Sequence, residues 1–338
     1  MDRMAKFGND LYTGARSYNF VGRRKIWYAI AAVMILASIV IPAIRGGFVF
    51  GIEFTGGSEF QIGEVQNLDT DSIGQQDLAT DTVNGVVADA APRVTTIGAD
   101  AIRVQTDQLE PAESDEVRSA LATAFGVPES DVTASFIGPS WGADITGAAL
   151  RALVIFIILA GIVMALYFRT WKMSLAAIIA LLHDIIITAG VYGALGFEIT
   201  PSAVIGFLTI LGYSLYDTVV VFDKIRENTT EDGAESTRTF AESVNLAVNQ
   251  TLVRSINTGV VAALPVAAIL FIGAVVLGAG TLRDIALSLL VGILIGTYST
   301  IFIAAPLYSQ LRENEPDLQR RTQKTTTVRA SSTSGAVR

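Results

Sequence analysis

Gly212-Tyr213-Ser214-Leu215-Tyr216-Asp217-Thr218-Val219-Val220-Val221-Phe222-Asp223-Lys224-Ile225-Arg226-Glu227-Asn228 begins in an apolar segment and ends in a charged one. Asp217 lies within the apolar part, flanked by Leu215, Val219, Val220, Val221 and Phe222. An ionised carboxylate in hydrocarbon costs about 3 to more than 10 kcal/mol. Such a residue faces a bundle interior, has a partner or exchanges a proton, which makes Asp217 the first candidate functional residue. Composition supports a membrane setting: the 338 residues are 51% hydrophobic and only 17% charged, with a mean hydropathy of +0.49. These values lie outside the soluble globular range.

Several chemistries are excluded at once. Without cysteine there is no disulfide framework, thiol nucleophile or thiolate metal site, and a single histidine, His183, rules out a multi-histidine metal site. Gly51-Ile52-Glu53-Phe54-Thr55-Gly56-Gly57 lacks the Gly-Lys-Ser/Thr ending of a phosphate loop. Its glycines read instead as a tight turn leading from membrane to domain. No serine triad or nucleotide site is apparent, so the expected protein is not an enzyme, needs no cofactor or metal, and takes no nucleic-acid partner.

Outward from Asp217 the chain divides cleanly. Residues 1–25 form a polar, basic, cytoplasmic N-terminus, and 26–44 is an apolar run long enough to cross roughly 30 Å of bilayer. That run ends in Ile-Pro-Ala-Ile-Arg rather than a small-residue cleavage site, which predicts an uncleaved first span. Residues 46–147 are acid-rich and patterned as an extracytoplasmic α+β domain. Strands are predicted over 58–64, 93–97, 101–105 and 131–137, and helices over 80–91 and 111–125. The order β-α-β-β-α-β is that of a ferredoxin-like sandwich. Further spans are predicted at 148–168, 173–195, 201–222, 251–277 and 285–308, with a cytoplasmic loop over 223–248 and a disordered, basic cytoplasmic tail over 309–338.

The sequence thus predicts a polytopic α-helical membrane protein: six transmembrane helices, with one extracytoplasmic ferredoxin-like domain between the first two. Basic residues at the N-terminus, at Arg169/Lys172, at Lys224/Arg226/Arg238 and along the tail all fall on one side of such a fold. By the positive-inside rule that side, with both termini, is cytoplasmic. The tail's basic residues suit anionic headgroups or ribosomal RNA, but a solvated tail is the preferred reading.

Other polar residues join Asp217 inside the spans. His183 and Asp184 lie near the middle of the third, and Tyr213, Ser214, Tyr216 and Thr218 flank Asp217 in the fourth. The fifth opens with Asn249, Gln250, Thr251, Arg254, Ser255, Asn257 and Thr258. Asp217 sits roughly 9 Å above the cytoplasmic end of its helix, and Arg254 lies just inside the antiparallel neighbour. The expectation is that the two meet, so that the guanidinium neutralises the carboxylate and releases it on protonation. A static helix-ordering pair is the plainer alternative, although buried pairs often break even energetically. Gly292 and Gly296 read as a helix-packing pair on the last span.

The residues 51–57 just after the first span resemble the Gly-Xaa-Asp-Phe-Thr-Gly-Gly signature of the SecF family of protein-export membrane proteins. Leu182-His183-Asp184, Gly212-Tyr213-Ser214, Phe222 to Asn228, Gln250-Thr251-Leu252-Val253-Arg254 and Gly296-Thr297-Tyr298-Ser299 are similar to its other motifs, in order, over about residues 20 to 312. The resemblance implies membership of the resistance-nodulation-division superfamily and residence in the bacterial cytoplasmic membrane. It also implies a heterodimer with SecD beside the SecYEG channel, acting on emerging polypeptide after the ATPase SecA and drawing on proton-motive force. By motif position, Asp217 and Arg254 match the family's coupling acid and arginine. Glu53 stands where Asp is common, Tyr216 where a small polar residue is frequent, and Lys224 where Arg is common. Rival readings are a half-sized small-molecule or lipid exporter of the same superfamily, a passive scaffold for SecD and, more remotely, an intramembrane enzyme.

Overall fold

The computed structural model describes residues 3–66, 68, 70–97, 100–231, 238–273, 280–320, 322, 323 and 325. Helix α1 (Arg3–Tyr12) precedes the first apolar helix, α2 (Arg24–Ile44). The chain then enters the α+β domain: β1 (Val49–Phe50), α3 (Ile52–Thr55), β2 (Gly57–Ile62), α4 (Ser72–Val86), β3 (Arg93–Ile97), β4 (Ala101–Thr106), α5 (Pro111–Phe125) and β5 (Val132–Ile137). It returns through α6 (Pro139–Phe168), α7 (Trp171–Leu195), β6 (Glu198–Ile199), α8 (Pro201–Glu231), α9 (Phe240–Phe271) and α10 (Gly280–Ser299). A π-helical turn (Thr300–Ala304) joins α10 to α11 (Ala305–Arg312). Among the described residues six helices are long and apolar enough to cross a membrane.

In the domain, β2, β3, β4 and β5 form one antiparallel sheet in the order β3-β4-β2-β5. Alternation sends Phe60, Ile62, Ile102 and Val104 to one face, where they pack with Val83 of α4 and Val117 and Leu121 of α5. The opposite face carries Glu59, Arg103 and Gln105, with Gln105 Nε2 donating to Glu59 Oε2 at 3.0 Å. Helix α4 starts at Ser72 rather than residue 80, because the Asp71 side chain accepts from the Gly74 N–H at 3.1 Å. It ends at Val86 rather than 91, where Val87 turns extended.

Residues 51–57 are more than a tight turn. Gly51 is extended, Ile52–Thr55 make a full helical turn, and Gly56 and Gly57 take φ of +78° and +144°. L side chains rarely adopt those angles, and a Cβ at Gly57 would strike the Thr106 carbonyl oxygen. Ahead of this turn β1 pairs in parallel with β6, and Gly51 N–H donates to Ile199 O at 3.0 Å. The entrance to the domain is thereby fixed to the α7–α8 connection, a pairing too short to leave a sequence signal.

Within the bundle α7, α8 and α10 are the most buried helices, while α2, α6 and α9 keep broad exposed apolar faces. Gly292 faces Ile210, where an added Cβ would overlap the isoleucine side chain, and a Cβ at Gly296 would stand 3.0 Å from Ser214 Cβ. These glycines let α10 and α8 approach closely.

The helices run past the expected span and loop limits at several places. Helix α6 begins at Pro139 rather than 148, growing directly from β5. The expected loop 223–248 is largely helical: α8 runs on through Glu231, with a Lys224–Glu227 pair one turn apart. Helix α9 starts at Phe240 behind a capping box formed by Thr239 and Glu242; of the loop, 232–237 lie outside the described residues. The expected fifth span, 251–277, reaches residues 274–277, also outside them. The tail does not loosen at 309, because α11 continues to Arg312 and is pinned by Arg24–Glu313 (2.6 Å) and Lys172–Glu315 (2.9 Å). Of the expected tail, 321, 324 and 326–338 lie outside the described residues.

The N-terminal segment is also more structured than its polarity suggests. Leu11 is fully buried. Asn249 Oδ1 accepts from Tyr18 N–H at 2.8 Å, Asn245 Oδ1 accepts from Phe20 N–H at 2.8 Å, and Gln250 Nε2 donates to Tyr12 O at 3.1 Å. The polar residues opening α9 thus clamp the chain ahead of α2.

Candidate functional site

Four helices and the π turn deliver polar side chains to the middle of the bundle. Ser214, Asp217 and Thr218 occupy positions i, i+3 and i+4 of α8 and so share one face. All three are almost fully buried. On α7, His183 Nδ1 lies 3.1 Å from Asp184 Oδ1, and Ser214 Oγ donates to Asp184 Oδ2 at 2.6 Å. Thr218 donates to Ser214 O at 3.0 Å and its hydroxyl lies 3.0 Å from that of Thr300 in the π turn. Tyr298 of α10 stacks against the His183 ring at 6.1 Å between centroids. Single π turns inside α-helices recur at functional sites.

Asp217 is only 4% exposed. Its Oδ1 accepts from Ser255 Oγ of α9 at 2.9 Å, while its Oδ2 is buried and makes no hydrogen bond among the described residues. His183 Nε2 is likewise buried and unbonded. A carboxylate held in this way keeps its second oxygen open to accept a further hydrogen bond.

The expected contact with Arg254 is not made. Arg254 is exposed on the outer side of α9, forms no ion pair with Asp217 among the described residues, and reaches it only through space. The buried stripe of α9 runs through Val244, Ala247, Val248, Thr251, Leu252, Ser255 and Gly259. One residue is about 100° of helix rotation, so Ser255 faces α8 and Arg254 does not. Of the expected supporting residues, His183, Asp184, Ser214 and Thr218 come together with Asp217 in the interior. Tyr213 is only partly buried, and Tyr216 is 56% exposed and points away. Ser255 is one of the polar residues at the start of the fifth span, and Tyr298 and Thr300 belong to the polar run 297–300, but only packing reveals what they touch. In a double-mutant cycle Asp217 and Ser255 are expected to couple by about 1 kcal/mol, a single hydrogen bond. The measurement is thermal stability of the four variants; strict additivity would remove the contact.

A second cluster occupies the junction of domain and bundle. Arg103 of β4 lies 3.6 Å from Glu59 and 3.5 Å from Glu198, which follows α7. Glu53 Oε2 and Glu198 Oε1 both crowd Gly51, and both are buried without a hydrogen bond among the described residues. Burial pushes both carboxyls above their ordinary value, and the Glu59 charge adds to it; Asp284 adds further at Glu53, and Glu53 at Glu198. Arg103 opposes the shift at both. An acid whose folded pKa is raised contributes stability that is full below its ordinary value and is lost as pH rises through the raised one. The β1–β6 junction is therefore expected to open more readily as pH rises above the carboxylate range. Amide exchange at Gly51 across a pH series, corrected for intrinsic rates, measures this. Glu53→Gln with Glu198→Gln should flatten the dependence, and an unchanged profile in that variant would count against the assignment.

Among the described residues no group of three or more histidines and carboxylates is placed to hold a metal ion.

Comparison with known proteins agrees with this architecture. The family model described as protein export membrane protein SecD/SecF, C-terminal, matches residues 117–314. The protein translocase subunit SecF of Streptomyces coelicolor is 45% identical over 319 residues, spanning 94% of this chain and 83% of that relative. The protein translocase subunit SecDF of Thermus thermophilus is 32% identical over 296 residues, 86% of this chain and 38% of that protein. The crystal structure of SecDF from Thermus thermophilus, a translocon-associated membrane protein, superposes with a TM-score of 0.73 at 28% identity. The match covers 88% of this chain and 39% of that one, so this chain spans about two fifths of the longer protein.

Proposed function

This chain belongs to the SecD/SecF family of protein-export membrane proteins, and from that premise we propose that it is the SecF-type accessory subunit of a Sec translocase that converts proton flow into outward movement of polypeptide. It is a multi-pass membrane protein with a transport role. The observation that carries the coupling reading is Asp217, an acid buried among four helices with one oxygen held by Ser255 and the other unengaged. Proton uptake there removes a charge from the bundle interior and weakens the claim of Ser255, which changes how α8 and α9 pack.

A SecD-type partner is supported by two observations. The related SecDF is a single chain of which this one matches about two fifths, so the part of it that this chain does not match resembles a partner for it. Arg254 and Asn257 are exposed on α9, costly for a helix face bathed in lipid and natural for one covered by another subunit. Docking beside SecYEG, with SecA acting from the cytoplasm, follows from that assignment. Basic residues at the N-terminus, the α8–α9 connection and the tail support cytoplasmic termini. The strand order β3-β4-β2-β5 supports a ferredoxin-like domain on the opposite, external side. The test is export by membrane vesicles carrying the chain with its partner and channel, under an imposed proton or sodium gradient. A proton-dependent gain is expected; a gain that ignores the proton gradient would overturn the reading.

A further inference from the structure

The end of the bundle that bears the N-terminal segment holds a cavity of about 980 Å³. Its wall brings Arg23, Arg24 and Lys25 of the α2 entry together with Arg238, Glu242 and Glu313. Four cations thus meet two anions, and both anions are engaged: Glu313 by Arg24 at 2.6 Å, and Glu242 by the Thr239 N–H at 2.8 Å. Arg23 and Lys25 are exposed, and among the described residues no side chain caps the first turn of α2. The backbone of the wall is held in place, since Asn245 and Asn249 bond the chain at Tyr18, Phe20 and Val21.

An apolar groove of about 480 Å³ continues from this cavity, sharing Lys25 and Ile26 with it. The groove runs along α2 past Ala29, Ile30, Val33 and Met34, roughly 14 Å of helix from Lys25. Trp27, whose Nε1 donates to Phe20 O at 3.1 Å, lies at the same level, the depth at which interfacial aromatics anchor spans. A basic cavity at headgroup height that continues into a shallow apolar strip along α2 matches a molecule with an anionic head and a hydrocarbon tail. We infer that this is a binding site for an anionic phospholipid, with the phosphate beside Arg23 and Lys25 and one acyl chain along α2. A soluble phosphate uses the cavity but leaves the groove bare, which favours the lipid. The inference depends on α2 crossing the membrane and is independent of proton coupling at Asp217.

The test uses the full chain, purified from membranes and exchanged into nanodiscs of phosphatidylglycerol or phosphatidylcholine, with retained lipid counted by native mass spectrometry. Phosphatidylglycerol should be retained over phosphatidylcholine. Arg23→Gln and Lys25→Gln should each lower that retention about fivefold, one surface cation's share. Ala29→Trp, which fills the groove without changing charge, should lower it too. Because Arg23, Lys25 and Ala29 are exposed, melting curves of the variants should match the parent and exclude misfolding. Equal retention of both lipids, undiminished retention in the glutamine variants, or displacement of the bound lipid by millimolar glycerol 3-phosphate would each overturn the proposal, the last by making it a phosphate site.

Discussion

Asp217→Asn is expected to abolish gradient-dependent export while leaving the protein assembled with its partner. The substitution keeps shape, and an amide oxygen accepts from Ser255 Oγ as the carboxylate oxygen does. It removes only the ability to change charge. Stability should therefore shift by no more than about 1 kcal/mol, the scale of one retained hydrogen bond, while the gradient-dependent component falls to background. Export by vesicles, with ATP supplied and the proton gradient imposed or collapsed, separates the two components. A variant that responds to the gradient like the parent would leave the scaffold reading in possession. Ser255→Ala should give a milder version of the same defect, because it loosens the acid without removing it.

Gly292→Leu should be the most damaging change in the bundle away from any ionisable group. The glycine lies where α10 meets Ile210 of α8, and even a methyl there overlaps the isoleucine. Forcing a larger side chain into a packed contact costs about 1–3 kcal/mol or more. The damage should spread, because α8 carries Ser214 and Asp217, and moving it strains their bonds to Asp184 and Ser255. Lower melting of the purified protein together with weak export is expected, although every polar residue of the site is intact. Melting at the parent's temperature would mean that α8 and α10 tolerate separation.

Much of the fold was legible because a bilayer narrows the choices. A run of about 20 apolar residues has to satisfy its backbone internally, and a helix is the way a single segment does so. The domain's strands were legible for a different reason, the two-residue alternation that puts Phe60, Ile62, Ile102 and Val104 on one face. Helix ends were less legible. The Asp71 and Thr239 caps, and the charged continuation of α8 to Glu231, depend on local bonds that hydropathy does not register.

By itself the sequence determined that the chain crosses the membrane, that an α+β unit follows the first crossing, and that Asp217 is too costly to be incidental. Only the tertiary structure decided what Asp217 touches. Arg254 and Ser255 are adjacent in sequence and about 100° apart around their helix, so the choice between them rests on how α9 is rotated against α8. That rotation is set by the packing of the whole buried stripe from Val244 to Gly259, which no single residue announces. The same holds for the cavity at the α2 entry, whose walls come from segments more than two hundred residues apart that Asn245 and Asn249 help to join by bonding the chain near Tyr18.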